Sequence, residues 1–279
     1  MIKVGVLGAR GRMGKGLVAE VLRDSQTILG AVLEHAKHPD QGKDMAILTD
    51  NESATGVVLS SSLADVITNV DVMIDFSSLQ ALPEHLELAA LAGKGIVIGT
   101  TGLTDADKRL LDQAGHKTAC LFSPNMSVGV NLLFKIVGEV AKSLGSDYDI
   151  EIIEKHHNKK KDAPSGTAIR LGEVIAEATK RVYAKAAVHG REGMTGERTQ
   201  QEIGMHAVRV GGIVGEHTVI YGGEAEVLEI THRAQSRDAF ILGALRGAKF
   251  LAGKKPGLYS MADVLKSHCQ EKQGDDGAI

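Results

Sequence analysis

Ile2-Lys-Val-Gly-Val-Leu-Gly8-Ala-Arg-Gly11-Arg-Met-Gly14 opens the chain with an apolar run that stops at the glycine series G-x-x-G-x-x-G. An apolar run of this length bounded by glycine reads as a buried strand. The glycines after it permit a tight turn and close approach of a pyrophosphate to the amides of the following helix. The spacing departs from the commoner G-x-G-x-x-G, and glycines after a strand also serve as plain structural turns. The pattern of the first half of the chain supports the nucleotide reading. Strand-like runs recur at Ile28 to Leu33, Val57 to Leu59, Val70 to Phe76, Gly95 to Ile98 and Ala119 to Phe122. They alternate with amphipathic helical patterns such as Leu79 to Leu91 and Asp105 to Ala114. Continuous apolar strands separated by such helices predict an α/β protein whose N-terminal part is a doubly wound, Rossmann-like parallel sheet.

Glu34 ends the second strand, where an acid can accept both ribose hydroxyls of an adenosine. A 2′-phosphate would be repelled there and would prefer a neighbouring Arg, but the next residue is His35, with Lys37 and His38 close by. NADH is therefore the expected cofactor, with NADPH use open. Two loops, Gly99-Thr-Thr-Gly102 and Ser123-Pro-Asn-Met126, fall at carboxyl ends of strands, where open α/β sheets bind ligands. Asn125 has the groups to donate to and accept from a carboxamide at once; turns that merely close the loops are the plainer alternative.

With 279 residues the chain has room for two domains, each with a core. Hydrophobic residues at 43% and charged residues at 24% suggest neither disorder nor a membrane span. A formal charge of -3 and only 3% aromatics argue against nucleic-acid binding, which needs a basic surface with interleaved rings. Cys120 and Cys269 lie far apart without C-x-x-C spacing, which fits a reducing compartment, and a cytoplasmic protein is expected. After Asn125 the pattern changes to an apolar helix, Val130 to Leu144, and an alternating strand from Tyr148 to Glu154. A helix from Thr167 to Ala178 and strands at Ile203 to Val210, His217 to Tyr221 and Val227 to His232 complete an α+β layer. A last apolar helix, Ala239 to Leu251, can return to the first domain, and the tail from Gln270 is hydrophilic. The expected domains are 1–126 plus 238–279 for dinucleotide binding, and 127–237 for substrate binding and oligomerisation. Hinges are expected near Ser127 and near Ser236 to Asp238.

The chemistry gathers in Glu154-Lys-His-His-Asn-Lys-Lys-Lys-Asp-Ala-Pro-Ser-Gly-Thr167. His156 and His157 stand at a strand end, and Ser165 is placed as N-cap of the next helix, with the amides of Gly166 and Thr167 expected to point outward. A histidine, a lysine and a helix N-terminus form an anion pocket with a proton donor near neutral pH. Adjacent histidines on a strand face opposite ways, so one of them can be merely buried, and the lysines can be a solvated run. The other histidines are scattered, without H-E-x-x-H or C-x-x-C, so no metal site is expected. Neither a nucleophile elbow nor a P-loop lysine occurs.

Taken together these motifs resemble one family nearly end to end: 4-hydroxy-tetrahydrodipicolinate reductase, also called dihydrodipicolinate reductase. The resemblance is carried by Gly8 to Gly14, Asp75-Phe-Ser, Val97-Ile-Gly-Thr-Thr-Gly102, Asn125-Met-Ser-Val-Gly-Val-Asn131, Glu151 to His157 and Asp162-Ala-Pro-Ser-Gly-Thr-Ala168. Later come Arg191 to Arg198, Arg209 to His217 and Glu229-Ile-Thr-His-Arg-Ala. It implies that Gly8, Ala9, Arg10, Gly11, Arg12, Met13, Glu34, Gly99, Thr100, Thr101, Ser123, Pro124, Asn125 and Met126 bind NADH or NADPH. His35 joins that set where many relatives carry Arg. It further implies His156 as catalytic donor, Lys160 as the proton-donating lysine, and His157, Lys160, Gly166 and Thr167 as holders of a small dicarboxylate substrate. The implied reaction is loss of the 4-hydroxyl as water, hydride delivery to the ring and protonation of the enamine, in lysine and diaminopimelate biosynthesis. A homotetramer is implied as well, and the apolar positions Val208, Val210, Val219 and Ile230 are expected to meet other subunits. The alternatives are another two-domain amino-acid-pathway oxidoreductase and a catalytically silent dinucleotide-sensing regulator.

Overall fold

Seven parallel strands form the sheet of the first unit, and their order explains where its loops converge. The computed structural model describes residues 1–45 and 55–267, so Cys269 and the tail from Gln270 lie outside the described residues. The strands are β1 (Ile2–Leu7), β2 (Thr27–Leu33), β3 (Leu59–Ser60), β4 (Val72–Asp75), β5 (Gly95–Ile98), β6 (Ala119–Phe122) and, from the far end of the chain, β12 (Gly257–Tyr259). Their order is β12-β6-β5-β4-β1-β2-β3, so the direction of winding reverses between β1 and β4. Doubly wound sheets bind ligands at the carboxyl side of such a reversal. β4 and β5 are buried at every position, as continuous apolar runs require when both faces are covered.

One face is covered by α1 (Arg12–Arg23) and by α8 (Asp238–Leu251), whose Ile241, Ala244, Leu245, Ala248 and Leu251 join Leu17, Val18 and Val21 in one core. Burying each such Leu or Ile contributes about 1.5–3 kcal/mol. The other face carries α3 (Leu82–Ala92) and α4 (Asp105–Gly115), with α2 (Leu63–Val66) beside them. α3 begins three residues later than the pattern suggested, because Pro83 fixes the first turn and residues 79–81 form the turn before it. α4 starts on a capping box in which Thr104 Oγ1 accepts from the Asp107 N–H and Asp107 Oδ2 accepts from the Thr104 N–H.

The chain divides into two compact units, Met1–Val128 with Asp238–Ile279, and Gly129–Arg237. In the second, β11 (Val227–Arg233), β10 (Glu216–Gly222), β7 (Asp149–His156), β9 (Ile203–Arg209) and β8 (Ala187–His189) lie in that order. β10 runs antiparallel to β7 and β11, whereas β7, β9 and β8 are parallel. α5 (Val128–Leu144) and α6 (Gly166–Ala178) supply the core of one sheet face, and the short α7 (Tyr183–Ala186) follows α6. Tyr221, wholly buried, donates its hydroxyl to Val137 O at 2.7 Å and so ties β10 to α5. Alternation along β7 turns Ile150, Ile152, Glu154 and His156 inward. On β10 Val219 is wholly buried, and Ile230 packs against the same core. Those two positions therefore serve their own unit, and only Val208 and Val210 of the four expected contact positions are exposed.

Candidate active site

In the first unit the functional loops hang from the carboxyl ends of β1, β2, β4, β5 and β6. Gly8 has φ of +78°, and its turn is pinned by Gly8 and Ala9 N–H groups donating to Leu33 O at 3.0 and 2.9 Å. A Cβ on Gly14 would lie 2.1 Å from Gly8 O, so α1 can begin against the loop only with glycine there. Glu34 carries the loop from the other side: Oε2 accepts from Arg10 N–H and Oε1 from His35 N–H, each at 3.1 Å. The Arg10 guanidinium pairs with Asp40 at 3.0 Å, and Asp40 also meets Lys43 at 2.8 Å. A cavity of about 320 Å³ opens beside these groups, lined by Gly8, Gly11, Glu34, His35, Phe76 and His85 among others. Its size and mixed lining fit the adenosine part of a dinucleotide.

Behind that cavity Asp75, wholly buried at the end of β4, accepts from Ser77 N–H at 2.8 Å and from the Ser77 hydroxyl at 2.6 Å; His85 Nδ1 lies 2.7 Å from its other oxygen. The sequence motifs include Asp75 but give no sign of His85, which enters from α3. Thr100 Oγ1 is buried and has no hydrogen-bond partner within the protein. Asn125 Oδ1 accepts from Ser127 N–H at 2.8 Å, a turn that closes its own loop. A larger hollow of about 1030 Å³, lined by Asp24, Arg246 and Lys249 among others, contains none of the expected site residues and lies at the amino ends of the strands.

In the second unit His156 is inward and 9% exposed, whereas His157 follows the strand end, half-buried, with an unpartnered Nδ1. His156 Nδ1 sits 2.6 Å from Glu154 Oε2. Glu154, 1% exposed, also accepts from Ser165 N–H at 2.9 Å and from both terminal nitrogens of Arg209 at 2.7 Å each. Burial would raise this carboxyl, but Arg209, His156 and the Ser165 amide hold it below the ordinary range. His156 is pushed below its ordinary value, first by burial and then by Lys160 and Arg209, against the opposing pull of Glu154. His217 of β10 stands edge-on to His156, ring centres 5.3 Å apart, with Nε2 3.0 Å from Ser165 Oγ. Burial brings its pKa down to about 3, so it is neutral.

Among the lysines, Lys159 and Lys161 are exposed, while Lys160 is largely covered, its Nζ 2.8 Å from the exposed Asp162. Ser165 caps α6 by accepting from Ala168 N–H, and a Cβ on Gly166 would meet nothing within 4 Å, which leaves that edge open. The sequence pattern brings together His156, Lys160 and the start of α6. It does not reveal Glu154, Arg209 and His217 as parts of one network. The only local signal is Glu154, two residues from His156 and so on the same strand face.

Among the described residues no group of three or more His, Cys, Asp or Glu is placed to hold a metal, and no helix is long and apolar enough to cross a membrane. A doubly wound sheet with a glycine cradle and an acid at the end of β2, carried on one chain with a second unit that holds a histidine and a lysine, defines a nicotinamide-dependent oxidoreductase. Two family models divide the chain: dihydrodipicolinate reductase, N-terminus, matches residues 2–126, and dihydrodipicolinate reductase, C-terminus, matches residues 129–265. The chain belongs to the dihydrodipicolinate reductase family. The 4-hydroxy-tetrahydrodipicolinate reductases of Geobacter sulfurreducens and Syntrophotalea carbinolica are 49% and 50% identical to it, in each case over 95% of this chain and 99% of the relative. A solved structure, dipicolinate-bound dihydrodipicolinate reductase from Paenisporosarcina sp. TG-14, superposes with a TM-score of 0.73 at 28% identity, covering 93% of this chain and 97% of that one. Amine dehydrogenase from Mycobacterium smegmatis, at 11% identity and a TM-score of 0.57 over 93% of this chain and 95% of that one, shares the fold alone. Neither another pathway dehydrogenase nor a silent regulator is favoured.

Proposed function

We propose that the chain carries out its family's reaction with His156 and Lys160 as the catalytic groups and with His157, Lys160, Gly166 and Thr167 holding the substrate carboxylates. As a family member it is an NAD(P)H-dependent oxidoreductase that reduces 4-hydroxy-tetrahydrodipicolinate to tetrahydrodipicolinate with loss of water, in lysine and diaminopimelate biosynthesis. The observation that carries the site reading is the meeting of His156, the covered Lys160 and the Ser165-capped start of α6 at one end of β7. The residues that would hold the cofactor are Gly8 to Met13, Glu34, His35, Gly99 to Thr101 and Ser123 to Met126. When bound, the reduced nicotinamide supplies the hydride.

The protein's part is charge placement. A substrate carboxylate can replace the exposed Asp162 at Lys160, and the open edge at Gly166 offers helix amides to the same group. An ammonium held there stabilises negative character developing on the ring and then donates to the enamine carbon. His156 is neutral near pH 7 because burial lowers its pKa, which makes Lys160 the better cation at that pH. His35 in place of an arginine, with Asp40 drawing the Arg10 guanidinium, supports a preference for NADH. A cytoplasmic homotetramer is proposed too; exposed Val208, Val210, Val227 and Leu228 on the second unit supply apolar surface for subunit contact.

The test is reduced-nicotinamide absorbance with substrate made in situ from pyruvate and aspartate semialdehyde by the preceding synthase, run separately with NADH and NADPH. Rapid synthase-dependent oxidation, faster with NADH, is expected. Cofactor binding without oxidation would overturn the reading. Sedimentation velocity of the same sample checks the tetramer.

A further inference from the structure

Glu154 receives four donors from three directions: His156 on its own strand, both Arg209 nitrogens at the end of β9, and the Ser165 amide at the start of α6. An ionised carboxylate can only accept, so the hydrogen in the 2.6 Å contact belongs to His156 Nδ1. A neutral imidazole with hydrogen on Nδ1 carries its lone pair on Nε2. At that second nitrogen stands Gly215, where an added Cβ would lie 3.2 Å from Nε2; glycine leaves this edge of the ring uncovered. We propose that Glu154 is a positioning residue that fixes the Nδ1–H tautomer and orientation of His156, so that Nε2 is the nitrogen through which the ring exchanges protons. This rests on the assignment of His156 proposed above and adds the group through which it acts.

The same carboxylate reaches Ser165, whose hydroxyl caps α6. One buried anion thus sets both the histidine ring and the helix edge proposed to hold the substrate. Arg209 makes this arrangement durable. A carboxylate 1% exposed is costly unless paired, and a two-nitrogen guanidinium contact supplies charge and geometry together. The charged and titratable groups facing His156 are Glu154 on β7, Lys160 from the following loop, Arg209 on β9 and His217 on β10. Of these only Glu154 raises the basicity of the ring, so its neutral replacement must lower it.

The experiment compares the full-length protein with Glu154→Gln, His156→Gln and the double variant, using the synthase-coupled assay across pH. Glu154→Gln is expected to lower kcat by about tenfold to a hundredfold, the usual range for losing the partner that orients a catalytic ring. It should also move the His156 limb of the pH profile to lower pH and leave the KM for NADH unchanged. In the His156→Gln background the same change should cost almost nothing further, because the two residues act as one unit. An unmoved limb, or losses that simply add, would mean that Glu154 only ties β7 to β9 and α6. Undiminished turnover in His156→Gln would instead remove the assignment on which the proposal stands. Nitrogen-15 spectra of the wild-type imidazoles at neutral pH give a reading independent of any variant: His156 protonated at Nδ1 is expected, and protonation at Nε2 alone would overturn the proposal.

Discussion

Between Gly8 and Gly14 the first unit offers its ligand mainly backbone, whereas from Glu154 to Gly166 the second offers side chains fixed by a buried ion pair. The glycine loop is shaped by amide-to-carbonyl bonds to Leu33 and by a contact at Gly14 that leaves no room for a side chain. Its main side-chain support, Glu34, accepts from one loop amide, that of Arg10, and from the amide of His35 beside it. Around β7, by contrast, Glu154, His156, Arg209 and His217 depend on one another's charge and protonation. A backbone site changes little with pH and does not tolerate added atoms. A charge network tolerates shape changes better and is sensitive to protons and to loss of any one member.

Four outcomes would break or sharpen that contrast. The largest is expected for Lys160→Ala, which should lower turnover by at least about a hundredfold, the scale of a positioned acid, with NADH binding retained. Lys161→Ala should leave turnover unchanged, and equal losses in the two variants would show that the covered lysine is not special. Next, Gly14→Ala should destabilise the first unit by about 1–3 kcal/mol or more, read as a lower midpoint in urea, because the new Cβ would press on Gly8 O. Wild-type stability and NADH affinity there would show that the cradle is not set by backbone packing. Glu34→Ala should weaken NADH by about tenfold in KM with kcat kept, the loss of one charged hydrogen-bonding group; a drop in kcat instead would give Glu34 a part in the chemistry.

The fourth outcome concerns acid. His217 keeps its proton off until about pH 3 in the folded protein, against an ordinary 6.5. Between those values the unfolded chain binds the extra proton, so stability is complete above about 6.5 and declines as pH falls toward 3. A second decline should follow below the ordinary 4.5 of glutamate. Arg191, His206 and Arg198 hold Glu151 at about 2 against the effect of burial, and Arg233 and Lys155 hold Glu216 at about 2. All three groups belong to the second unit. Hydrogen exchange at pH 5 should therefore show its amides losing protection first, and His217→Gln should flatten the upper part of the melting-temperature curve. Protection lost first from the first unit would contradict the contrast.

Most of the first unit is legible in the sequence because its main strands are continuous apolar runs, two of which, β1 and β5, end on glycines. β12 of this unit and β8 of the second are not, since three residues are too few to display a period. The site is legible where its residues are neighbours in sequence, as His156, Lys160, Ser165 and Gly166 are. Arg209 is 55 positions from Glu154 and meets it only because β7 and β9 pair in parallel, with His156 opposite Arg209. His217 is likewise 52 positions from Ser165. Contacts of that kind depend on strand order, which periodicity does not reveal. Val219 departs from expectation for a related reason: a lone β-branched residue looks the same on either face until the register of β10 is known.

The first unit is discontinuous, and this bears on the order in which the molecule can be completed during synthesis. Residues up to Val128 leave the ribosome first, yet their sheet lacks β12 beside β6, and Leu17, Val18 and Val21 of α1 lack α8 until the chain has been made past Leu251. Gly129–Arg237, an uninterrupted stretch, has all its strands and core helices available before then. The part of the chain made first is thus the last that can close its core, and for the time it takes to translate more than a hundred residues the part of its apolar face that α8 covers has no native partner.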